Sequence, residues 1–142
     1  MNTTITKLFV YGSLRSGFRN PAYDYLTCHF QLIGEAVVKG QFYDKGDFPV
    51  AVPVSNEHFI QGELYQLKND AEFVWVFSQL DDYEGVNVEP EETPLYRREP
   101  VTVYLNGLET RAWIYWYNGN TADLTELPIG DVMKYLQLKN KP

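Results

Sequence analysis

Glu84 is the side chain whose neighbours best suit it to move a proton. It closes a run, Asn69 to Gly85, that reads as a helix. At about 100° per residue, Glu84 falls in line with Phe73, Phe77 and Leu80. Asp82 falls on the opposite face, and Asp81 lies at the flank. Of these carboxylates, Glu84 is the one aimed at the interior. Burial disfavours the charged form of a carboxyl, and the negative end of a helix dipole pushes the same way, so its pKa should rise toward neutrality. That suits a general base or acid. The structural alternative is a frayed last turn that carries Glu84 into solvent.

A second candidate is the loop that follows Leu8-Phe9-Val10-Tyr11. Gly12 permits a sharp turn and close approach of another molecule to the main chain. Ser13, Leu14 and Arg15 then follow with free backbone N–H groups, a cradle for a carboxylate or a developing oxyanion. Arg15 could also meet a substrate carboxylate bidentately. The plainer readings are a strand ending in a turn and a solvated surface arginine. Tyr96 and Tyr117 form a third candidate. Antiparallel counting outward from Asn106-Gly107 sets them opposite each other on one face, unless Pro100 introduces a bulge. Two phenols at one rim could orient a substrate, or could simply pack.

Other chemistries fit poorly. Gly12 and Gly17 have phosphate-loop spacing, but Phe18-Arg19 stands where Lys-Ser/Thr is required. No Gly-x-Ser-x-Gly elbow surrounds Ser13. A Ser-His or Cys-His nucleophile would need His29 or His58, but Cys28 and His29 are adjacent, with side chains expected to diverge in a strand, so two ordinary histidines and a buried thiol are expected. His58, Cys28 and His29 have no metal-ligand spacing. No metal and no cofactor is expected.

The elements that must position these groups can be read in order. Ile5 to Tyr11 reads as a buried strand. Asn20-Pro21 starts a short helix with Tyr25 and Leu26 toward the core. Leu32 to Tyr43 reads as a strand bent by glycines, as in a barrel. Phe48 to Val54 carries two prolines and is at best an edge segment. Phe59 to Leu67 alternates as a strand. Asn69 and Glu72 form a capping-box pattern for the main helix. Its apolar stripe is Phe73, Val76, Phe77, Leu80 and Tyr83, and Gly85 sits at its C-terminal stop. Val101 to Leu105 and Leu108 to Tyr117 form a hairpin around a type I′ turn at Asn106-Gly107. Asp131 caps a final short helix to Leu138. These elements predict an α+β fold, a small mixed β-barrel with one main helix packed against it.

Phe9-Val10-Tyr11-Gly12-Ser13-Leu14-Arg15 resembles the signature of the gamma-glutamylcyclotransferase-like family, whose members include gamma-glutamylamine cyclotransferases. Gly62-Glu63-Leu64-Tyr65, Leu80 to Gly85, and Tyr96-Arg97-Arg98 resemble that family's later landmarks in the same order. The resemblance covers roughly the first two thirds of the chain. It implies cyclisation of a small-molecule gamma-glutamyl amide to 5-oxoproline with release of an amine, without cofactor. It also implies Glu84 as the general base and a backbone cradle at Tyr11 to Leu14. Glu89, Glu91 and Glu92, in the loop after Glu84, lead us to expect a preference for cationic leaving groups. Two other classes stay open: a catalytically silent metabolite-binding protein of the same fold, and an interaction module using its aromatics.

The bulk composition agrees with a globular chain. Its 142 residues are 44% hydrophobic and 22% charged, enough for a single domain over 1–142 with a sizeable core. A net charge of −7 repels nucleic acid and anionic membranes, so neither is an expected partner. One cysteine makes no intrachain disulfide, and no leader or spanning segment is apparent, so the expected location is the cytoplasm.

Overall fold

The strand after Thr6 is apolar on both faces because both faces are covered. In the computed structural model, which describes residues 4–11, 21–45, 49–84 and 94–127, β1 (Lys7–Val10) buries Leu8, Phe9 and Val10 alike. Phe9 points into a barrel, while Leu8 and Val10 point outward beneath helices. The helix α1 (Pro21–His29) starts at the expected proline and leads directly into β2 (Phe30–Asp44). Then come β3 (Pro49–Pro53), β4 (Phe59–Leu67), a 3-10 turn at Asp70–Glu72, and α2 (Phe73–Tyr83). The chain continues through β5 (Tyr96–Leu105), β6 (Leu108–Tyr117) and the short β7 (Thr125–Leu127).

The sheet runs β3-β2-β4-β1-β6-β5, and β5 pairs back onto β2 to close a five-stranded barrel. Pairings are antiparallel except β1 with β6, which is parallel. Beyond the barrel, β3 and β7 both extend β2. The long β2 can serve so many partners because it bends. Its register against β4 shifts between Leu32 and Gly34, where the glycine lets a bulge redirect the strand.

Two apolar clusters result. One fills the barrel with Phe9, Val38, Phe42, Ile60, Leu64, Val103, Ile114 and Trp116. The other lies between the outer barrel wall and the helices, and includes Leu26, Phe30, Tyr65, Val76, Phe77, Leu80 and Tyr115. Each fully buried Phe or Leu contributes on the order of 1.5–3 kcal/mol, so the second cluster fixes α2 firmly on the wall.

The hairpin is as expected. Asn106 and Gly107 adopt φ of 52° and 81°, the positive values a type I′ turn requires. Pro100 introduces no bulge, and one register runs unbroken from Leu105↔Leu108 to Tyr96↔Tyr117.

Several details differ from the sequence reading. Asn69 does cap the helical segment, its Oδ1 accepting from Ala71 N–H at 3.0 Å, but the first turn is 3-10 and the α-helix begins only at Phe73. Glu72 lies 3.7 Å from His29 Nδ1. Cys28 and His29 end a helix, and Cys28 is exposed rather than buried, because it faces away from Leu26. Tyr83 is exposed too, so it stands to one side of the buried stripe of Val76, Phe77 and Leu80. β7 was missed in a polar stretch, since backbone pairing with β2 and a Gln41 side-chain bond to the Leu127 carbonyl (2.5 Å) hold it, not an apolar pattern. The final helix expected at Asp131 to Leu138 lies outside the described residues. Among the described residues, no helix is long and apolar enough to cross a membrane.

Candidate active site

Helix α2 ends at the rim of the barrel, and Glu84 is its C-cap residue. Its backbone remains helical, at φ −83° and ψ −1°, and its N–H donates to the Leu80 carbonyl at 2.9 Å. The last turn is therefore not frayed, and Glu84 stays above Leu80 in the apolar stripe. Glu84 is part-buried. Burial pushes its carboxyl from 4.5 up to about 7.

The phenols of Tyr11, Tyr96 and Tyr115 lie within electrostatic reach of that carboxyl, since each is pushed upward in part by the Glu84 charge. Tyr11 directly follows β1, and its hydroxyl donates to the Tyr115 carbonyl. Its ring stacks on Trp116 at 6.4 Å and meets Phe42 edge-on at 5.7 Å. Burial first, then Tyr96 and Glu84, raise this phenol well above its ordinary value, with Arg97 opposing. Tyr96 is pushed up to about 12 by burial, then by Glu84 and Tyr117. Tyr115 is raised above the ordinary range by burial and by its bond to Asp81. All three are neutral near pH 7, and the hydroxyls of Tyr11 and Tyr115 are donated to the Tyr115 carbonyl and to Asp81, so burial rather than a countercharge sets the state of the Glu84 carboxyl.

Tyr96 and Tyr117 meet as the register predicts, ring centroids 6.1 Å apart in a T-shaped pair. Lys45 Nζ lies 5.0 Å from the Tyr117 ring centroid. Asn118 fastens the far side of this rim, its N–H donating to Leu95 O at 2.9 Å and its Nδ2 to Pro94 O at 3.0 Å. Gly12, Ser13, Leu14 and Arg15 lie outside the described residues, as do Glu89, Glu91 and Glu92. Of the expected site residues, the structure brings together Tyr11, Glu84, Tyr96 and Tyr117.

Asp81 corrects the angular reading. Placed at the flank by helix phase, it is buried, and Asp82 is exposed as expected. Arg98 Nε donates to Asp81 Oδ1 at 2.7 Å and Nη2 to Oδ2 at 3.2 Å, while Tyr115 Oη donates to Oδ1 at 2.7 Å. Both oxygens of Asp81 are thus occupied by donors, so of the two enclosed carboxyls on this turn Glu84 is the one suited to proton transfer. Arg98 and Tyr115 were missed by sequence reasoning, although a signal existed. The hairpin register that pairs Tyr96 with Tyr117 pairs Arg98 with Tyr115 on the same face.

Comparison with known proteins adds a lineage to this geometry. Residues 8–134 match the family described as "Gamma-glutamyl cyclotransferase, AIG2-like". A Vibrio cholerae protein named "Putative gamma-glutamylcyclotransferase" is 33% identical over 112 residues, 78% of this chain and 80% of its own. A Methanocaldococcus jannaschii protein with the same form of name is 31% identical over 130 residues, covering 90% and 96%. Among solved structures, YkqA of Bacillus subtilis superposes with a TM-score of 0.68 at 24% identity. That match covers 96% of this chain but 42% of YkqA, and at that identity it supports the fold alone.

Proposed function

This chain belongs to the gamma-glutamyl cyclotransferase, AIG2-like family, and we propose that it converts a gamma-glutamyl amide to 5-oxoproline with release of an amine. The observation that carries this reading is Glu84 on an ordered last helical turn, its carboxyl raised to about 7 by burial and within electrostatic reach of Tyr11, Tyr96 and Tyr115.

The chemistry asks little of a protein. The substrate's own α-amine is the nucleophile. Once deprotonated, its nitrogen attacks the γ-carbonyl carbon, a C–N bond closes the five-membered ring, and the carbonyl oxygen takes the negative charge. Collapse of that oxyanion breaks the bond to the amide nitrogen, which leaves as the amine. Nothing is oxidised, and no water is consumed. Glu84 takes one proton from the α-ammonium group to free the nucleophile. After attack the ring nitrogen gives up a second proton as it becomes an amide. With Glu84 as relay both end on the leaving nitrogen, which departs as an ammonium ion. A carboxyl near pKa 7 suits both halves, being about equally populated as acid and base at neutral pH.

Holding the amine against the carbonyl supplies most of the remaining advantage, a proximity effect that can reach ~7–11 kcal/mol for well-oriented ring closures. The Tyr96–Tyr117 pair offers an aromatic wall with hydroxyl tips for orienting the glutamyl chain. The main-chain N–H groups of Gly12, Ser13 and Leu14, with Arg15 beside them, are assigned to the glutamyl carboxylate or the oxyanion on the strength of the family resemblance.

The test is a panel of gamma-glutamyl dipeptides and gamma-glutamyl amines assayed for 5-oxoproline with wild-type and Glu84→Gln protein. Glutamine keeps the volume but cannot accept the α-ammonium proton. Removing a general base should cost ~10²–10⁴-fold in rate. A Glu84→Gln variant as active as wild type, or a wild type silent on the whole panel, sinks the proposal.

A further inference from the structure

We propose that Asp81, Arg98 and Tyr115 form a clamp that fixes the rotation of the last turn of α2 and so sets where the Glu84 carboxyl lies; they are positioning residues for the cyclisation proposed above, on which this inference rests.

The helix does not need an ion pair merely to adhere. Val76, Phe77 and Leu80 already bury its inner face, and an apolar residue at position 81 would bury as well at less desolvation cost. Apolar contacts, however, tolerate small rotations and slides, whereas a bidentate pair does not. Asp81 precedes Glu84 by three residues and Leu80 precedes it by four, so the two form the ledge on which Glu84 stands. One side of that ledge is held by packing and the other by directional bonds.

Arg98 is itself fixed. Its guanidinium carbon lies 4.4 Å from the Trp113 ring centroid and 5.1 Å from that of Phe77, so aromatic faces orient the fork before it meets Asp81. Tyr115 completes the clamp through its hydroxyl, while its carbonyl accepts from the Tyr11 hydroxyl. Strand β6 therefore ties two places together: the turn that bears Glu84 and Tyr11, between the end of β1 and Gly12. A displacement of either is transmitted through one residue.

The groups within electrostatic reach of Glu84 are the phenols of Tyr11 just after β1, Tyr96 from β5 and Tyr115 from β6. Asp81 is bonded to Tyr115 and to Arg98, and the Arg97 charge acts on Tyr11. Variants that keep the net charge of this set therefore isolate position from electrostatics. Arg98→Lys keeps the charge and loses the planar fork; Tyr115→Phe keeps the ring and loses the hydroxyl bond to Asp81.

The decisive measurement is the titration of the Glu84 side-chain carboxyl by carbon-13 NMR in each variant, assigned by its disappearance in Glu84→Gln. If the clamp sets the position, its release exposes the carboxyl to water. The midpoint then falls from about 7 toward the ordinary range by at least about one pH unit, and kcat falls roughly 10- to 100-fold. Should Arg98→Lys fail to fold, Tyr115→Phe gives the same reading. A midpoint unchanged in the folded variants overturns the proposal, however much thermal stability is lost, because the trio would then be an anchor only. The titration needs no turnover. A protein that forms no 5-oxoproline thus sinks the reaction proposed above, while the clamp is still upheld or overturned by the midpoint.

Discussion

At the scale of single residues, the Glu84 carboxyl couples chemistry to stability with a definite sign. Its pKa in the folded protein, about 7, lies above the value of 4.5 expected when unfolded. Between those values the folded state holds a proton that the unfolded state has released, so stability falls as pH rises through this window. The loss is complete above about pH 7 and amounts to at most about 3 kcal/mol. Glu84→Gln cannot undergo it. Urea midpoints at pH 5 and pH 8 should therefore show the variant gaining on wild type at the higher pH; wild type gaining on the variant instead would mean that the ionised carboxylate is favoured in the fold. The same group should give kcat/KM of the wild type a limb that rises through about pH 7 and is absent from Glu84→Gln. Asp82 is exposed on the far side of the turn, so Asp82→Asn should leave 5-oxoproline release within about twofold of wild type. An inactive Asp82→Asn protein would show that the helical phase has been misassigned.

At the scale of elements, two contacts hold the site's framework. The Asp81–Arg98 pair is mostly enclosed, with side-chain exposures of 12% and 21%. Asp81→Ala leaves a guanidinium among Phe77 and Trp113 with no countercharge from Asp81, and should cost about 3–5 kcal/mol by equilibrium denaturation. A loss below about 1 kcal/mol would contradict the enclosed pair. The other contact is between β4 and β1. A Cβ built at Gly62 would stand 2.2 Å from the Val10 carbonyl oxygen and 2.5 Å from the Phe9 ring. Backbone and a packed aromatic ring cannot both yield, so Gly62→Ala should force the two strands apart. We expect a loss of about 1–3 kcal/mol, with Tyr11, the next residue after Val10, displaced along with it. Equal stability of Gly62→Ala and wild type would mean that β1 can shift without cost.

At the scale of the molecule, the barrel closes unevenly. Along β2 with β4 and β5 with β6 the ladders are long, whereas two seams rest on one residue pair each, Val37↔Tyr104 between β2 and β5 and Leu8↔Trp113 between β1 and β6. Local opening should begin at the β2–β5 seam, because Val37 and Tyr104 are part-exposed whereas Leu8 of the other seam is fully buried. Native-state hydrogen exchange should accordingly find amides flanking Val37 and Tyr104 less protected than those in the middle of the β5–β6 hairpin. The reverse order would place the weak point elsewhere. The rim carrying Glu84 borders the opposite end of that hairpin, near Tyr96 and Tyr117, so opening at the seam can proceed without dismantling the site.

What was legible in the sequence was whatever depends on local periodicity. The Asn106-Gly107 turn, the hairpin register that brings Tyr96 to Tyr117, the bend in β2 and the inward phase of Glu84 follow from backbone conformation and side-chain spacing, which act over a few residues. The burial of Asp81 was not legible, because helix phase places a side chain at an angle but cannot say what waits opposite. Arg98, oriented between Trp113 and Phe77, and the hydroxyl of Tyr115 make that flank an interior. Likewise β7 has no apolar alternation of its own and exists as a strand because β2 extends beyond the barrel to pair with it. Tertiary structure decided those points, since a buried charge and a borrowed strand are stabilised by partners distant in the chain.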